Sequence, residues 1–173
     1  MSDEELRLSE PIDIVPMPES QIDEYVLETG KRPWGSMFRD VVYISPDLTT
    51  PSGRSNVREF TERHETGHLL MERSLLRRGD EDVLMAWKEL SNSDYEYTLF
   101  GELVANLYSL GQVADEQTKG KISNLVRQAE NEGLPSARAK QIVKLAKTVA
   151  DRLLREQGHA GLQGVLRRFE LGR

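Results

Sequence analysis

The stretch RHETGHLL, residues 63–70, sets two histidines four positions apart with a glutamate directly after the first. In a helix, His64 and His68 share one face and lie one turn apart. In a strand the same residues would stand about 13 Å from each other. Joint work by the two imidazoles therefore requires a helix here, and a second element packed against it to complete whatever they begin. Only three histidines occur in the chain, and two of them are this pair.

Two imidazoles one turn apart can bind a single zinc ion at about 2.0–2.1 Å. Glu65 lies about 100° around the helix from His64 and roughly 60° from His68. It flanks such an ion without being placed as a ligand. From there a carboxylate can take a proton from zinc-bound water and later deliver it to a leaving amine. Zinc lowers the pKa of that water from about 15.7 toward about 7. HExxH on a helix is the spacing this chemistry needs. Gly67, lacking a side chain, lets another element approach.

A catalytic zinc site needs a third protein ligand. In YTLFGELVANLYSLGQ, residues 97–112, Glu102 is an acid on an otherwise apolar stretch. Burying it is costly unless it is paired or bound to metal. Asn106, one turn later, can accept the free ring N–H of a zinc-bound histidine and orient it. Gly101 would again allow close helix approach. Asp94 and Glu96 compete as ligands but sit at a helix start, where acids serve as caps. His159 also competes but lies between glycine-containing turns.

At 173 residues, with 38% hydrophobic and 30% charged content, the chain fits one soluble globular domain with a continuous core. The absence of cysteine excludes disulfides, thiolate ligands and a thiol nucleophile. No apolar run approaches the roughly 20 residues that cross a bilayer. The acidic start, MSDEELRLSEPID, lacks the order of a secretory signal. A cytoplasmic protein without membrane contact is expected. Residues 1–111 hold 11 Lys/Arg against 22 Asp/Glu, and residues 112–173 hold 12 against 7. The basic third reads as the solvated faces of helices. With a net charge of −6 and no recognition-helix signature, nucleic acid is not an expected partner. Oligomeric state is not encoded in any of these features.

Residues 1–19, rich in acids and proline, read as an extended or partly ordered arm. A first helix is expected near 20–29, capped by Ser20 and stopped by Gly30. SMFRDVVYISPDL supplies the strand region, with β-prone Val41, Val42, Tyr43 and Ile44. The motif helix is expected from Asn56 to about Arg77, ending at Gly79. Asp80 then caps a segment bearing Val83, Leu84, Trp87 and Leu90 at helical spacing. A helix near 95–113 carries Glu102, and three more are expected near 115–131, 136–157 and 160–170. In the longest, Lys140, Lys144 and Lys147, with Arg155, oppose an apolar face built on Ile142, Ala146, Val149 and Leu153. The expected fold is α+β and predominantly helical, with a small sheet before the motif helix. Its parts would be an arm (1–19), a catalytic core (20–112) and a helical C-terminal extension packed on it (113–173).

VVYISPDL, a loop, REFTERHETGHLL and then ELVAN together resemble the ImmA/IrrE-like zinc metallopeptidases, a gluzincin-type branch of the zincins. The match covers roughly residues 36–111, with three separate segments in the family's order. The resemblance implies one Zn2+ per chain held by His64, His68 and Glu102, with Glu65 as general base. It also implies that the strand Val41, Val42, Tyr43 and Ile44 offers its edge to an extended peptide. Such enzymes have a donor to the oxyanion of the tetrahedral intermediate. Tyr95, Tyr97 and Tyr108 are the candidates here. The implied substrate is a protein, with a helix-turn-helix transcriptional repressor the family's usual target. Trp34 and Trp87 read as core or interface residues.

The expected function is a zinc metallo-endopeptidase working through a Glu65-activated zinc-bound water. The alternative is a non-catalytic zinc-containing module that docks a partner through its C-terminal helices. A closed coordination sphere would favour the second, and an open one the first.

Overall fold

The computed structural model of the protein describes residues 12–38, 41–46, 55–90, 93–157 and 166–168. In chain order the elements are β1 (Ile12–Pro16), α1 (Glu19–Thr29), β2 (Gly35–Phe38), β3 (Val41–Ile44) and α2 (Ser55–Glu72). They continue with α3 (Glu81–Leu90), α4 (Asp94–Gln112), α5 (Glu116–Asn131), α6 (Ser136–Gln157) and β4 (Leu166–Arg168). A π-helical segment, Arg73–Arg78, prolongs α2 until Gly79 turns the chain with φ 67°. The architecture is α+β and predominantly helical, as expected.

The sheet has the order β2-β3-β1-β4. β2 and β3 run antiparallel, with Gly35 opposite Ile44 and Phe38 opposite Val41. β1 is parallel to β3, with Asp13 opposite Val41, and parallel to β4 on its other side. Ile12 and Ile14 of β1, and Val42 and Ile44 of β3, are buried. That alternation of two turns one face of the sheet onto the helices, chiefly α2.

Four expectations change. Residues 12–16, assigned to the arm, form an interior strand, because Ile12 and Ile14 pair an apolar face with a parallel register; residues 1–11 lie outside the described residues. Val41, Val42, Tyr43 and Ile44 do not form an edge. Both sides of β3 are used, by β2 and by β1, and among the described residues the outer strand next to α2 is β2. Within the 160–170 helix, residues 166–168 are instead β4, which finds backbone partners along β1; the remainder of that range, and His159, lie outside the described residues. Ser20 sits inside α1, whose first turn is preceded by Pro18 with no side-chain cap.

α4 is the central helix. Ser93 starts it by accepting a hydrogen bond from the Glu96 N–H at 3.3 Å. It packs against α2, α5 and α6 and is buried on most sides, which suits its long apolar run. From α6, Ile142, Ala146, Val149 and Leu153 join the same core as Leu69 and Phe100, while Lys140, Lys144 and Lys147 face solvent. Residues of α5 and α6 thus share the core of the preceding part. No described helix is long and apolar enough to cross a membrane.

Candidate metal centre

α2 carries His64, Glu65 and His68; α4 carries Glu102 and Asn106. Gly67 is what lets the two helices meet. A Cβ there would stand 3.0 Å from Ala105 Cα and 3.1 Å from Tyr108 Cδ1. Gly101, by contrast, has ordinary room: its Cβ would find Met71 Cε at 3.7 Å and His68 Cε1 at 3.9 Å. The close approach expected at both glycines is made at Gly67 alone.

His64 Nε2 and His68 Nε2 lie 3.2 Å apart. Glu102 straddles them, with Oε1 3.1 Å from His68 Nε2 and Oε2 3.2 Å from His64 Nε2. A tetrahedral ion with bonds of about 2.0–2.1 Å needs donors separated by about 3.3–3.4 Å. The histidine pair is close to that spacing, each Glu102 oxygen stands at about that distance from one imidazole, and one donor atom from each residue falls within 4.8 Å of the others. His64, His68 and Glu102 form a group that could hold a metal ion. Among the described residues no fourth His, Cys, Asp or Glu joins it, so a bound ion would keep an open position.

Protonation fits the same picture. Asn106 Oδ1 lies 3.2 Å from His64 Nδ1 and can only accept, which fixes a proton on Nδ1 and leaves Nε2 as the nitrogen that faces Glu102 and could meet a metal. Burial opposes ionisation of Glu102, yet hydrogen bonds from His64 and His68 outweigh it and hold the carboxyl far below its usual range. Burial likewise opposes charge on His68, but its hydrogen bond to Glu102, helped by the charges of Glu102 and Glu65, raises its pKa. These groups crowd lone pairs and negative charge around one point, and a positive charge there, proton or cation, relieves the crowding.

Glu65 is not in the donor group. Burial raises its pKa, with the two histidines opposing and Glu102 reinforcing the rise. It lies where two cavities meet. One, of about 560 Å³, is lined by Tyr25, Ser36, Met37, His68, Glu72 and Tyr97 among others. The second, of about 460 Å³, is lined by Trp34, Phe60, His64, Asn106 and Lys121 among others. Gly35, Glu65 and Glu102 border both. β2 therefore forms a wall along both halves of the cleft, and Gly35 makes that possible. A Cβ on it would meet Thr61 Cγ2 at 2.6 Å and Glu65 Cγ at 3.2 Å.

The three tyrosines separate cleanly. Tyr97 is half-buried and lines the larger cavity. Tyr95 is exposed and hydrogen-bonds Glu132, and Tyr108 is fully buried against Gly67. Of the competing acids, Glu96 pairs with Arg138 at 2.8 Å and Asp94 is exposed in the first turn of α4. Trp34 and Trp87, expected in core or interface, are 48% and 41% exposed and line the two cavities. Tyr25, Gly35 and Lys121 escaped sequence reasoning. Each stands on an element whose approach to α2 or α4 is set by tertiary packing and has no local signal.

No protein-family model, curated protein or solved structure matches the chain.

Proposed function

We propose that the protein is a zinc-dependent metallo-endopeptidase that takes its protein substrate as an extended strand along β2. The observation that carries this reading is the donor triangle of His64, His68 and Glu102, with the Glu65 carboxyl beside it at the junction of two cavities. Two imidazoles and a carboxylate suit zinc better than a hard cation that prefers all-oxygen sites. When bound, the metal supplies a Lewis acid that polarises a carbonyl and makes water acidic enough to react near neutrality.

The chain's own residues then divide the work. Asn106 holds the His64 ring in its ligating tautomer. Glu65, whose burial raises its pKa above the usual carboxylate value, accepts the proton of the attacking water and returns it to the leaving amine. Tyr97 is the tyrosine placed to donate to the oxyanion. β2, the outer strand of the sheet among the described residues, gives the substrate backbone a ladder to join, and the cavities that meet at Glu65 receive side chains flanking the scissile bond. A cleft made of two cavities that meet at Glu65 suits cleavage within a chain. A helix-turn-helix repressor is the substrate to try first, on the strength of the sequence resemblance.

The test is Glu65→Gln, an isosteric change outside the donor group. The variant is expected to bind zinc at the parent's stoichiometry and to lose cleavage of a helix-turn-helix protein by a factor of about 10²–10⁴. Full proteolysis by the variant, or none by the zinc-loaded parent on any protein or peptide offered, overturns the reading.

A further inference from the structure

The two halves of the cleft differ in charge. Among the described residues, the larger cavity is lined by Glu65, Glu72, Glu102 and His68 with no lysine or arginine. The smaller is lined, among the described residues, by one permanent cation, Lys121 of α5. Its ammonium lies over the Phe60 ring, 4.3 Å from the centroid, and over the Trp34 ring at 4.8 Å. Ring faces attract a cation without occupying its N–H donors as a carboxylate would. Among the described residues no carboxylate lies within ion-pair distance of Lys121. Asp115, its neighbour in charge, is engaged by Arg63 at 3.7 Å and by the Thr118 N–H at 2.6 Å. Lys121 is also partly desolvated. Burial draws its pKa below the ordinary lysine value, while Asp115 and Glu102 oppose that shift.

A desolvated ammonium with free donors, fixed by two aromatic walls inside a cavity that opens on Glu65 and Glu102, is built to meet an anion brought in from outside. We propose that Lys121 is a specificity-determining residue that selects a carboxylate, an Asp or Glu side chain of the substrate, on the α5 side of the scissile bond. The inference rests on the peptidase reading above. The opposite side, walled by Met37, Met71 and Leu75 and bearing Glu72, rejects an acid and takes an apolar side chain. The net charge of −6 sharpens the choice, since an acidic peptide is repelled by the chain as a whole and needs a local cation such as Lys121 to bind in the cleft.

The experiment uses the full chain loaded with zinc and carrying Glu65→Gln, so that peptides bind without turnover. Fluorescein-labelled extended peptides differing only by Glu, Gln or Lys at each position in turn are titrated by anisotropy. With Lys121 present, one position is expected to favour Glu over Gln by about 10–100-fold, the span of one charge-assisted hydrogen bond. Lys121→Met, which keeps the stem against Trp34 and Phe60, is expected to abolish that preference. Lys121→Arg should retain most of it, and Lys121→Glu should shift it to Lys. Glu preference surviving in Lys121→Met, or absent at every position, overturns the proposal. The same peptides offered to protein with Glu65 intact separate the two readings. Cleavage with no dependence on Lys121 overturns the inference and leaves the peptidase standing. Lys121-dependent binding of Glu peptides with no cleavage supports carboxylate selection and removes the peptidase.

Discussion

Asn106 Oδ1 stands 3.2 Å from His64 Nδ1, so a residue of α4 decides which nitrogen of an α2 histidine is free to bind an ion. Its removal leaves the ring able to rotate and to place its proton on either nitrogen. Asn106→Ala is expected to weaken zinc binding about 10–100-fold with the fold intact. Asn106→Asp, which keeps an acceptor, should lose less. Competition against a fluorescent chelator measures both, and an Ala variant as tight as the parent would show that the contact is incidental.

Glu102 contributes differently, since both of its oxygens face the histidine nitrogens. Glu102→Ala takes away one of three donors, and the loss of affinity should exceed that of Asn106→Ala. Metal analysis after gel filtration is expected to find the Glu102→Ala protein largely free of zinc. Zinc retained at parental occupancy would mean that the third donor lies elsewhere.

The helix contact that sets the triangle can be tested apart from the donors. Gly67→Ala forces a methyl to within 3.0 Å of the Ala105 backbone, which cannot yield without parting α2 from α4. A cost of about 1–3 kcal/mol in urea unfolding is expected, together with weaker zinc binding. Gly101→Ala, by contrast, meets nothing nearer than 3.7 Å. It should be neutral or stabilise α4 by up to about 1 kcal/mol through helix propensity. Equal effects of the two substitutions would contradict the close packing at Gly67.

The residues of the candidate metal site were readable because their signals are local. Spacing on one helix exposed His64, Glu65 and His68, and an acid in an apolar run exposed Glu102. The helices of the C-terminal half were likewise marked by Ser136, Gly133 and the lysine stripe of α6. Strand order carries no such local mark. Val41–Ile44 declares itself a strand by its β-branched residues, but whether it is an edge depends on β1 and β2, which arrive from different parts of the chain. β1 was hidden in an acidic, proline-bearing segment whose only clue is Ile12 and Ile14 on either side of Asp13. Lys121 lies on a helix with exposed Lys119 and Gly120 before it, so its burial against Trp34 and Phe60 is a product of packing alone.

The last expectation concerns how α4 is tied to α6. Arg138 makes a two-pronged contact with Glu96, Nε to Oε1 at 2.8 Å and Nη2 to Oε2 at 3.1 Å, and reaches Glu89 of α3 at 3.3 Å. The Arg138 hydrogen bond lowers the Glu96 pKa below its ordinary value of 4.5, against the opposing effect of burial. Because the folded value is depressed, the unfolded chain takes up this proton first as pH falls. The stabilisation is therefore complete above about 4.5 and disappears as pH drops through the lower, folded value. The pair is partly solvent-exposed, so its worth is on the order of 1 kcal/mol and shrinks with salt. Glu96→Gln should accordingly unfold in urea with a deficit of about that size near neutral pH, and with a progressively smaller one as pH is lowered from about 4.5 through the folded value. Chelator is included throughout so that metal release does not titrate over the same range. A deficit independent of pH would assign the contact to packing, and its charge to no role in holding the two helices together.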